Sequence, residues 1–317
     1  VEAIERTGHK FKTAMSSGMS SILDYKLYNI FENYLKTALG HGVRYDTCSF
    51  HAYGHADGGR LGLFDLDAQI GKIVKILGKY GYPETTGLYI TEMGNEMQLR
   101  IPEWHTLNGD TYQLGMPEYS FGHYEALNAA TCARIWIMAM KYCPRMRHTN
   151  VWNSRPFMDA DMRPLFWCKA ANTVARLLPE QTFIGDIRPA ADMRGYAFRR
   201  PDGTGIAAVW QTNPDVDESY EPNPRMTVRF TQPVRAFDLM ENERTLRCGE
   251  KGGTTFALTM APLFLTADDP EKLRDELKAG TVVFPGGTRS VASEQRGHAL
   301  AGGEQEVINN LKSADGK

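Results

Sequence analysis

The sequence predicts an α/β region followed by an all-β region. From about residue 10 to residue 178, short extended segments alternate with helical patterns, which is typical of βα units around a parallel sheet. From residue 183 onward, strands alternate with turn residues, which is typical of an antiparallel β-sandwich. A chain of 317 residues also exceeds the usual size of a single core. We therefore predict an α/β part over 1–182, a β-sandwich over 183–267 and a polar tail or linker over 268–317.

Four strands and four helices are predicted in the α/β part. The strands are expected at 10–16, 45–53, 88–94 and 149–153. Apolar residues at three- and four-residue spacing predict helices over 25–39, 67–80, 126–142 and 165–178. Between the third strand and the third helix, residues 95–122 lack a clear period and include Trp104. Loops of this length inside a compact domain are usually functional.

The all-β part has its clearest hairpin signal at Asp202-Gly203, which separates the alternating runs RGYAFRR and IAAVWQT. Further strands are predicted in MTVRFTQ, VRAFDLM, TTFALTM and PLFLTA. A short helix is expected at Pro270 to Leu277, after which the sequence turns polar and rich in glycine.

Composition and charge exclude several classes of function. A formal net charge of -2 offers no basic surface for phosphates, so no nucleic-acid partner is expected. The chain lacks the roughly 18 to 20 consecutive apolar residues of a membrane helix, so no membrane partner is expected either. Neither GxGxxG nor P-loop spacing occurs, which argues against a nucleotide cofactor. The five cysteines are scattered and odd in number, and are expected to be small buried apolar residues.

Polar side chains stand where the predicted strands end. In a barrel of parallel strands, active-site groups lie at the carboxyl ends. The second strand ends in Ser49, His51 and Tyr53, the third in Thr91 and Glu92, and the fourth in Trp152 and Asn153. Because burying an unpaired carboxylate is costly, we expect His51 and Tyr53 to donate hydrogen bonds to Glu92. Trp152 would offer an apolar platform to a sugar, whereas a plain ion pair of Glu92 with an arginine is the structural alternative.

The segments DTCSFHAYG, LYITEMG and VWNS, in this order and followed by a sandwich ending in APLFLTA, resemble strands six to eight of a known clan. That clan is the large group of (β/α)8 retaining glycoside hydrolases. RPLFWCKAANTVARLL resembles its last barrel helix, and the resemblance covers about residues 10–267. It implies the C-terminal half of a TIM barrel, about strands five to eight, followed by a β-sandwich. It also implies hydrolysis of O-glycosyl bonds in a carbohydrate substrate, with no cofactor and no metal.

The resemblance assigns roles to individual residues. Glu92 stands in the pattern ITE-x-G that holds the catalytic nucleophile at the end of strand seven. His51 and Tyr53 match a His-x-Tyr pair beside the nucleophile, and Trp152 matches the aromatic floor of the subsite. We place these three residues among the substrate-binding residues, together with Asn153 and Trp104.

The acid/base of that clan is not found in this chain. The clan carries it in an Asn-Glu pair at the end of strand four, and no Asn-Glu pair precedes Glu92. Asn95-Glu96 follows it, and Asn242-Glu243 lies in the sandwich. We therefore expect a missing N-terminal half-barrel or partner chain to supply the acid/base, and little activity from this chain alone. The start at Val1, without an initiator Met or a signal-peptide pattern, agrees with this expectation and indicates no compartment.

Other interpretations use the same residues. His51, His55 and Asp57 could be metal ligands, but two histidines four apart suit a helix rather than the junction of a strand and a loop. A non-catalytic carbohydrate-binding relative would keep the cleft and use Trp104 and Tyr112 as a binding loop. A purely structural module would bind no sugar.

Overall fold

The computed structural model describes residues 13–15, 28–53, 61–94, 121–151, 164–212, 223–248 and 252–284. They form a parallel sheet with helices, followed by two antiparallel sheets and a further helix. The mixed α/β character predicted from the sequence is confirmed. Within these ranges, no helix combines the length and the apolar character needed to cross a membrane.

The four parallel strands lie side by side in the order of the chain. They are β1 (Ala14–Met15), β2 (Thr47–Tyr53), β3 (Gly87–Gly94) and β4 (Met146–Val151). Each neighbouring pair is parallel, so each connection must cross over, as alternating strands and helices predict. The fourth strand begins at Met146, earlier than the predicted 149. Residues 10–12 and 152–153 of the predicted strands lie outside the described residues.

Four helices accompany this sheet. They are α1 (Tyr28–Gly40), α2 (Leu61–Lys79), α3 (Phe121–Met140) and α4 (Phe166–Leu177). The apolar stripes of the first two helices are buried, with Phe31 and Leu35 on α1 and Ile70, Ile73 and Leu77 on α2. They share one core with Phe50 and Ile90 of the sheet. Residues 129–139 of α3 are all buried, because this helix packs against both α2 and α4.

The described strands between Thr182 and Val283 build two antiparallel sheets. A six-stranded sheet has the order β10-β9-β13-β7-β6-β5, and a four-stranded sheet has the order β11-β12-β8-β14. The strands are β5 (Thr182–Ile187), β6 (Met193–Arg199), β7 (Gly205–Gln211), β8 (Arg225–Val228), β9 (Arg235–Phe237), β10 (Glu243–Arg244), β11 (Arg247–Cys248), β12 (Thr254–Ala257), β13 (Leu263–Ala267) and β14 (Thr281–Val283).

The predicted Asp202-Gly203 hairpin is confirmed, because β6 and β7 pair antiparallel along their whole length. Gly203 has φ 87°, in the left-handed region that glycine adopts without a steric cost. A carboxylate oxygen of Asp202 accepts hydrogen bonds from the backbone N–H of Thr204 at 2.9 Å and from its hydroxyl at 2.7 Å. Turn chemistry thus fixes the register of the two strands.

The six-stranded sheet is buried on both faces. Ile206, Ala208 and Trp210 of β7 belong to the core that contains helices α1 to α4. Ala207 and Val209, which alternate with them, belong to a second core that includes strands of the four-stranded sheet. Since successive strand residues point to opposite faces, this sheet is the middle layer of the described structure.

Part of the predicted tail is folded, which corrects the sequence-based assignment of 268–317. The helix predicted at Pro270 to Leu277 is α5 (Pro270–Lys278), capped by the carboxylate of Asp269 on the N–H of Lys272 at 3.0 Å. Leu273 and Leu277 are both 0% exposed in the second core. β14 then pairs with β8. The amphipathic spacing of α5 gives it an apolar face, which a linker would not need, and the residues after 284 lie outside the described part.

A polar network joins α2 to the six-stranded sheet. The carboxylate of Asp67 accepts hydrogen bonds from Tyr142 at 2.7 Å, from Lys141 at 2.9 Å and from Tyr196 of β6 at 3.1 Å. Burial opposes the charged form of Asp67, but the hydrogen bonds from Tyr142 and Lys141 outweigh it and hold its pKa below the usual value. Lys141 also contacts Asp186 of β5 at 3.0 Å. Hydrogen bonds therefore cross the boundary predicted at 182/183.

Two of the thiols behave as the sequence predicts. Cys48 and Cys132 are buried and free within the apolar core. Burial raises the pKa of Cys48 to about 12, so this thiol is protonated at neutral pH.

Candidate active site

Strands β2 and β3 each present one face to the helices and one face away from them. Phe50 and Ile90 belong to the helix-facing core. Alternation therefore places Ser49, His51 and Tyr89 on the opposite face. This second face carries polar and aromatic groups along neighbouring strands, as expected for the inner face of a sheet that holds a site.

A β-bulge decides which face Glu92 occupies. Phe50 pairs with Ile90, but the next residue of β2, His51, pairs with Glu92, so Thr91 is an extra residue in β3. Ile90 and Met93 are both 0% exposed in the helix-facing core although they are three residues apart. Strict alternation would place Glu92 in that same core. The extra residue re-aims Glu92 to the face of His51.

Side chains tie the extra residue to both neighbouring strands. The hydroxyl of Thr91 donates to the carbonyl oxygen of Phe50 on β2 at 3.3 Å. The carbonyl oxygen of Thr91 accepts a hydrogen bond from the side-chain amide of Asn150 on β4 at 3.2 Å. The pairing of β3 with β4 also shifts register between Ile90 and Met93. The bulge is therefore held from both sides.

Glu92 and His51 form a close pair at the carboxyl ends of their strands. Glu92 Oε2 lies 3.3 Å from His51 Nδ1. The side chain of Glu92 is 25% exposed and that of His51 is 14% exposed, so the carboxylate is partly desolvated and still reachable by a ligand. The structure thus brings together two residues that the sequence analysis placed side by side.

Burial lowers the pKa of His51 below its usual value of 6.5, and the negative charge of Glu92 opposes this shift only in part. His51 is therefore neutral at neutral pH. A neutral imidazole carries its proton on one ring nitrogen, so Nδ1 can donate to Glu92 when the proton is on that nitrogen.

An aromatic pair extends this face across β3 and β4. Tyr89 pairs with Ser49 on one side and with His148 on the other. The rings of Tyr89 and His148 have centroids 5.7 Å apart, and Ser49 is buried. The sequence analysis did not single out Tyr89 or His148, although Tyr89 lies between the buried apolar residues Leu88 and Ile90.

Several predicted site residues lie outside the described part of the chain. These are Trp104, Trp152 and Asn153, and also the side chain of Tyr53, whose backbone belongs to β2. Their substrate-binding roles stay predictions, as does the catalytic role of Glu92. His55 and Asp57 of the alternative metal site also lie outside it. Among the residues that the structure describes, no three histidine, cysteine or acidic side chains come together as a metal site.

Comparisons with known proteins find structural similarity without sequence similarity. No family model and no curated protein matches the sequence. A GH51 arabinofuranosidase from Xanthomonas axonopodis pv. citri matches with a TM-score of 0.44 and 13% identity over 76% of this chain. A family 51 α-L-arabinofuranosidase from Bifidobacterium longum gives 0.42 and 13% over 74%, and a GH39 β-xylosidase from Caulobacter crescentus gives 0.38 and 11% over 75%.

The chain spans 56%, 56% and 54% of the lengths of these three proteins. These structural neighbours are glycoside hydrolases, but identities and TM-scores at this level do not establish a shared function.

Proposed function

We propose that this chain carries the nucleophile side of a retaining glycoside hydrolase site, with Glu92 as the nucleophile. The observation that carries the proposal is the pairing of Glu92 with His51 at 3.3 Å, on the face turned away from the helices. A nucleophilic carboxylate must be ionised, partly desolvated and reachable by the sugar. Glu92 is 25% exposed, so it is partly desolvated and still reachable, and the Nδ1 of His51 lies 3.3 Å from its carboxylate.

In the proposed reaction, a carboxylate oxygen of Glu92 attacks the anomeric carbon of the sugar and forms an ester to it. The bond from that carbon to the leaving-group oxygen breaks, and a separate acid supplies the proton that this oxygen takes up. The group that acted as the acid then removes a proton from water, and the water oxygen attacks the anomeric carbon and releases Glu92. In a retaining enzyme this acid/base is a second carboxyl group, which has to lie roughly 5 to 5.5 Å from the nucleophile.

The acid/base is proposed to come from outside this chain, from an N-terminal half-barrel or a partner chain. Within the described residues, β1 and β4 are the outer strands of the parallel sheet, and each pairs on one side only. Closing such a sheet into an eight-stranded barrel requires further strands on both edges. We accordingly propose that this sheet represents about strands five to eight of a (β/α)8 barrel, with 183–267 as an adjoining β-sandwich.

Substrate binding is assigned to the residues that the sequence places around Glu92. His51 is proposed to bind sugar hydroxyls as well as Glu92, together with Tyr53 and Asn153. Trp152 and Trp104 are proposed as apolar surfaces against the faces of sugar rings, because aromatic faces are large apolar surfaces with a fixed geometry.

The test is covalent trapping with activated fluorosugars. A 2-deoxy-2-fluoro glycoside with a dinitrophenolate leaving group needs no protonation to depart, so the trap works without the acid/base. We would incubate the 317-residue chain with a panel of such pyranosides and furanosides and record its intact mass. The proposal expects an increase of one fluoroglycosyl group with at least one sugar, lost in Glu92→Gln.

Glu84→Gln is the matched control, because Glu84 is exposed and precedes the opposite end of the same strand. It should label at the wild-type rate. Sugar binding without any labelling across the panel would contradict the proposal and support a non-catalytic carbohydrate-binding protein. Absence of both labelling and binding would favour a purely structural module.

A further inference from the structure

The extra residue of β3 points to a function for two side chains that touch no substrate in the proposed reaction. We infer that Thr91 and Asn150 are positioning residues, which hold the β-bulge and thereby aim Glu92 at His51. That they aim Glu92 is a claim about structure alone. That they affect turnover rests on the proposed function.

The alternative register shows what the bulge prevents. Without the extra residue, alternation would turn the carboxylate of Glu92 into the core formed by Ile90 and Met93, both 0% exposed. An ionised carboxylate in such surroundings is strongly unfavourable. The same shift would move Met93 out of the core. Burial on one face of β3 therefore specifies the bulged register.

A bulge interrupts the regular ladder and leaves backbone groups to find other partners. At Thr91 these partners are side chains. The side-chain amide of Asn150 donates a hydrogen bond to the carbonyl oxygen of Thr91. The hydroxyl of Thr91 donates one to the carbonyl oxygen of Phe50 on the neighbouring strand. Since Thr91 directly precedes Glu92, a backbone rotation at Thr91 moves the carboxylate. A misplacement of about 1 Å at a reacting group can lower a rate by roughly 100-fold.

The experiment compares Thr91→Val with Thr91→Ser. Valine keeps the branched shape at Cβ and removes the hydroxyl, whereas serine keeps the hydroxyl. The first readout is the NMR titration of the His51 imidazole in the 317-residue chain, with the His51 signals assigned by their absence in His51→Gln. Glu92→Gln should lower the pKa of His51, because the negative charge of Glu92 raises it. Thr91→Val should shift it in the same direction, and Thr91→Ser should restore the wild-type titration.

The second readout is the rate of fluorosugar labelling. Thr91→Val should reduce it by about 10- to 100-fold, with recovery in Thr91→Ser. Should Thr91→Val fail to fold, Asn150→Ala tests the same bulge from an exposed position on β4.

Two results would overturn the inference: wild-type titration and labelling in Thr91→Val, or the same losses in Thr91→Ser as in Thr91→Val. A shifted titration in Thr91→Val, together with no labelling of the wild-type chain by any sugar, would support the positioning role and contradict the proposed function.

Discussion

Replacing Asp67 with alanine measures how strongly α2 is tied to the six-stranded sheet. Asp67 has a side chain 14% exposed, and it shares Lys141 with Asp186, whose side chain is 56% exposed. The two aspartates therefore form a matched pair around one ammonium group. Asp67 also accepts a hydrogen bond from Tyr196, whereas the contact of Asp186 with Lys141 lies at the surface.

The magnitude follows from these contacts. Truncating Asp67 removes the more buried of the two carboxylates around Lys141 and the acceptor of the Tyr196 hydroxyl. Tyr142 keeps its bond to the backbone carbonyl of residue 67 at 2.6 Å. Hydrogen bonds to charged groups contribute about 1.5 to 3 kcal/mol each, and breaking a buried ion pair costs about 3 to 5 kcal/mol. We expect Asp67→Ala to lower the free energy of unfolding by roughly 3 kcal/mol. Asp186→Ala should cost at most about 1 kcal/mol, as exposed ion pairs do.

Urea unfolding followed by circular dichroism gives both values. Folding lowers the pKa of Asp67, so its contribution is present above the unfolded-state pKa of about 3.9 and disappears as the pH falls through the lower folded-state pKa. Equal losses in the two variants, or a loss below about 1 kcal/mol for Asp67→Ala, would refute the reasoning.

Three further predictions concern single positions. Folding lowers the pKa of His51, so below pH 6.5 the unfolded chain binds more protons than the folded chain. As the pH is lowered, the urea midpoint should therefore decrease more steeply in wild type than in His51→Gln. Gly195→Ala should lower the free energy of unfolding by about 1 to 3 kcal/mol, since a Cβ there would lie 2.8 Å from a β7 carbonyl oxygen. A Cβ at Gly40 would have no atom within 4 Å, so Gly40→Ala should be near neutral. A comparable loss in Gly40→Ala would contradict this reasoning. Leu277→Ala should lower the free energy of unfolding by about 2 to 5 kcal/mol, because Leu277 is buried in the second core. Thermal unfolding measures this loss. A loss no larger than in Lys278→Ala, where the side chain is exposed, would support the tail interpretation.

The sequence predicts most of the elements because their patterns are local. Three- and four-residue spacing predicts α1 and α2, and Asp202-Gly203 predicts the hairpin of β6 and β7. The tail assignment missed β14, because a three-residue strand has too few residues to show alternation. It also underrated α5, whose apolar face finds a partner only in the folded protein.

The candidate site is partly readable from the sequence. Alternation places Ser49 and His51 on one face, and the end of an apolar run marks Glu92. Alternation alone puts Glu92 on the wrong face, because it counts Thr91 as an ordinary strand residue. The one available signal was the three-residue spacing of Ile90 and Met93, which a regular strand cannot bury on the same face.

The position of the covalent ester tests the central claim most directly. Trypsin cleaves after Lys79 and Arg100, so one peptide, residues 80–100, contains Glu84, Glu92 and Glu96. Fragmentation of this peptide after fluorosugar treatment assigns the added mass to one of the three. The account predicts the ester on Glu92. An ester on Glu96 or Glu84, or on any residue outside this peptide, would contradict it.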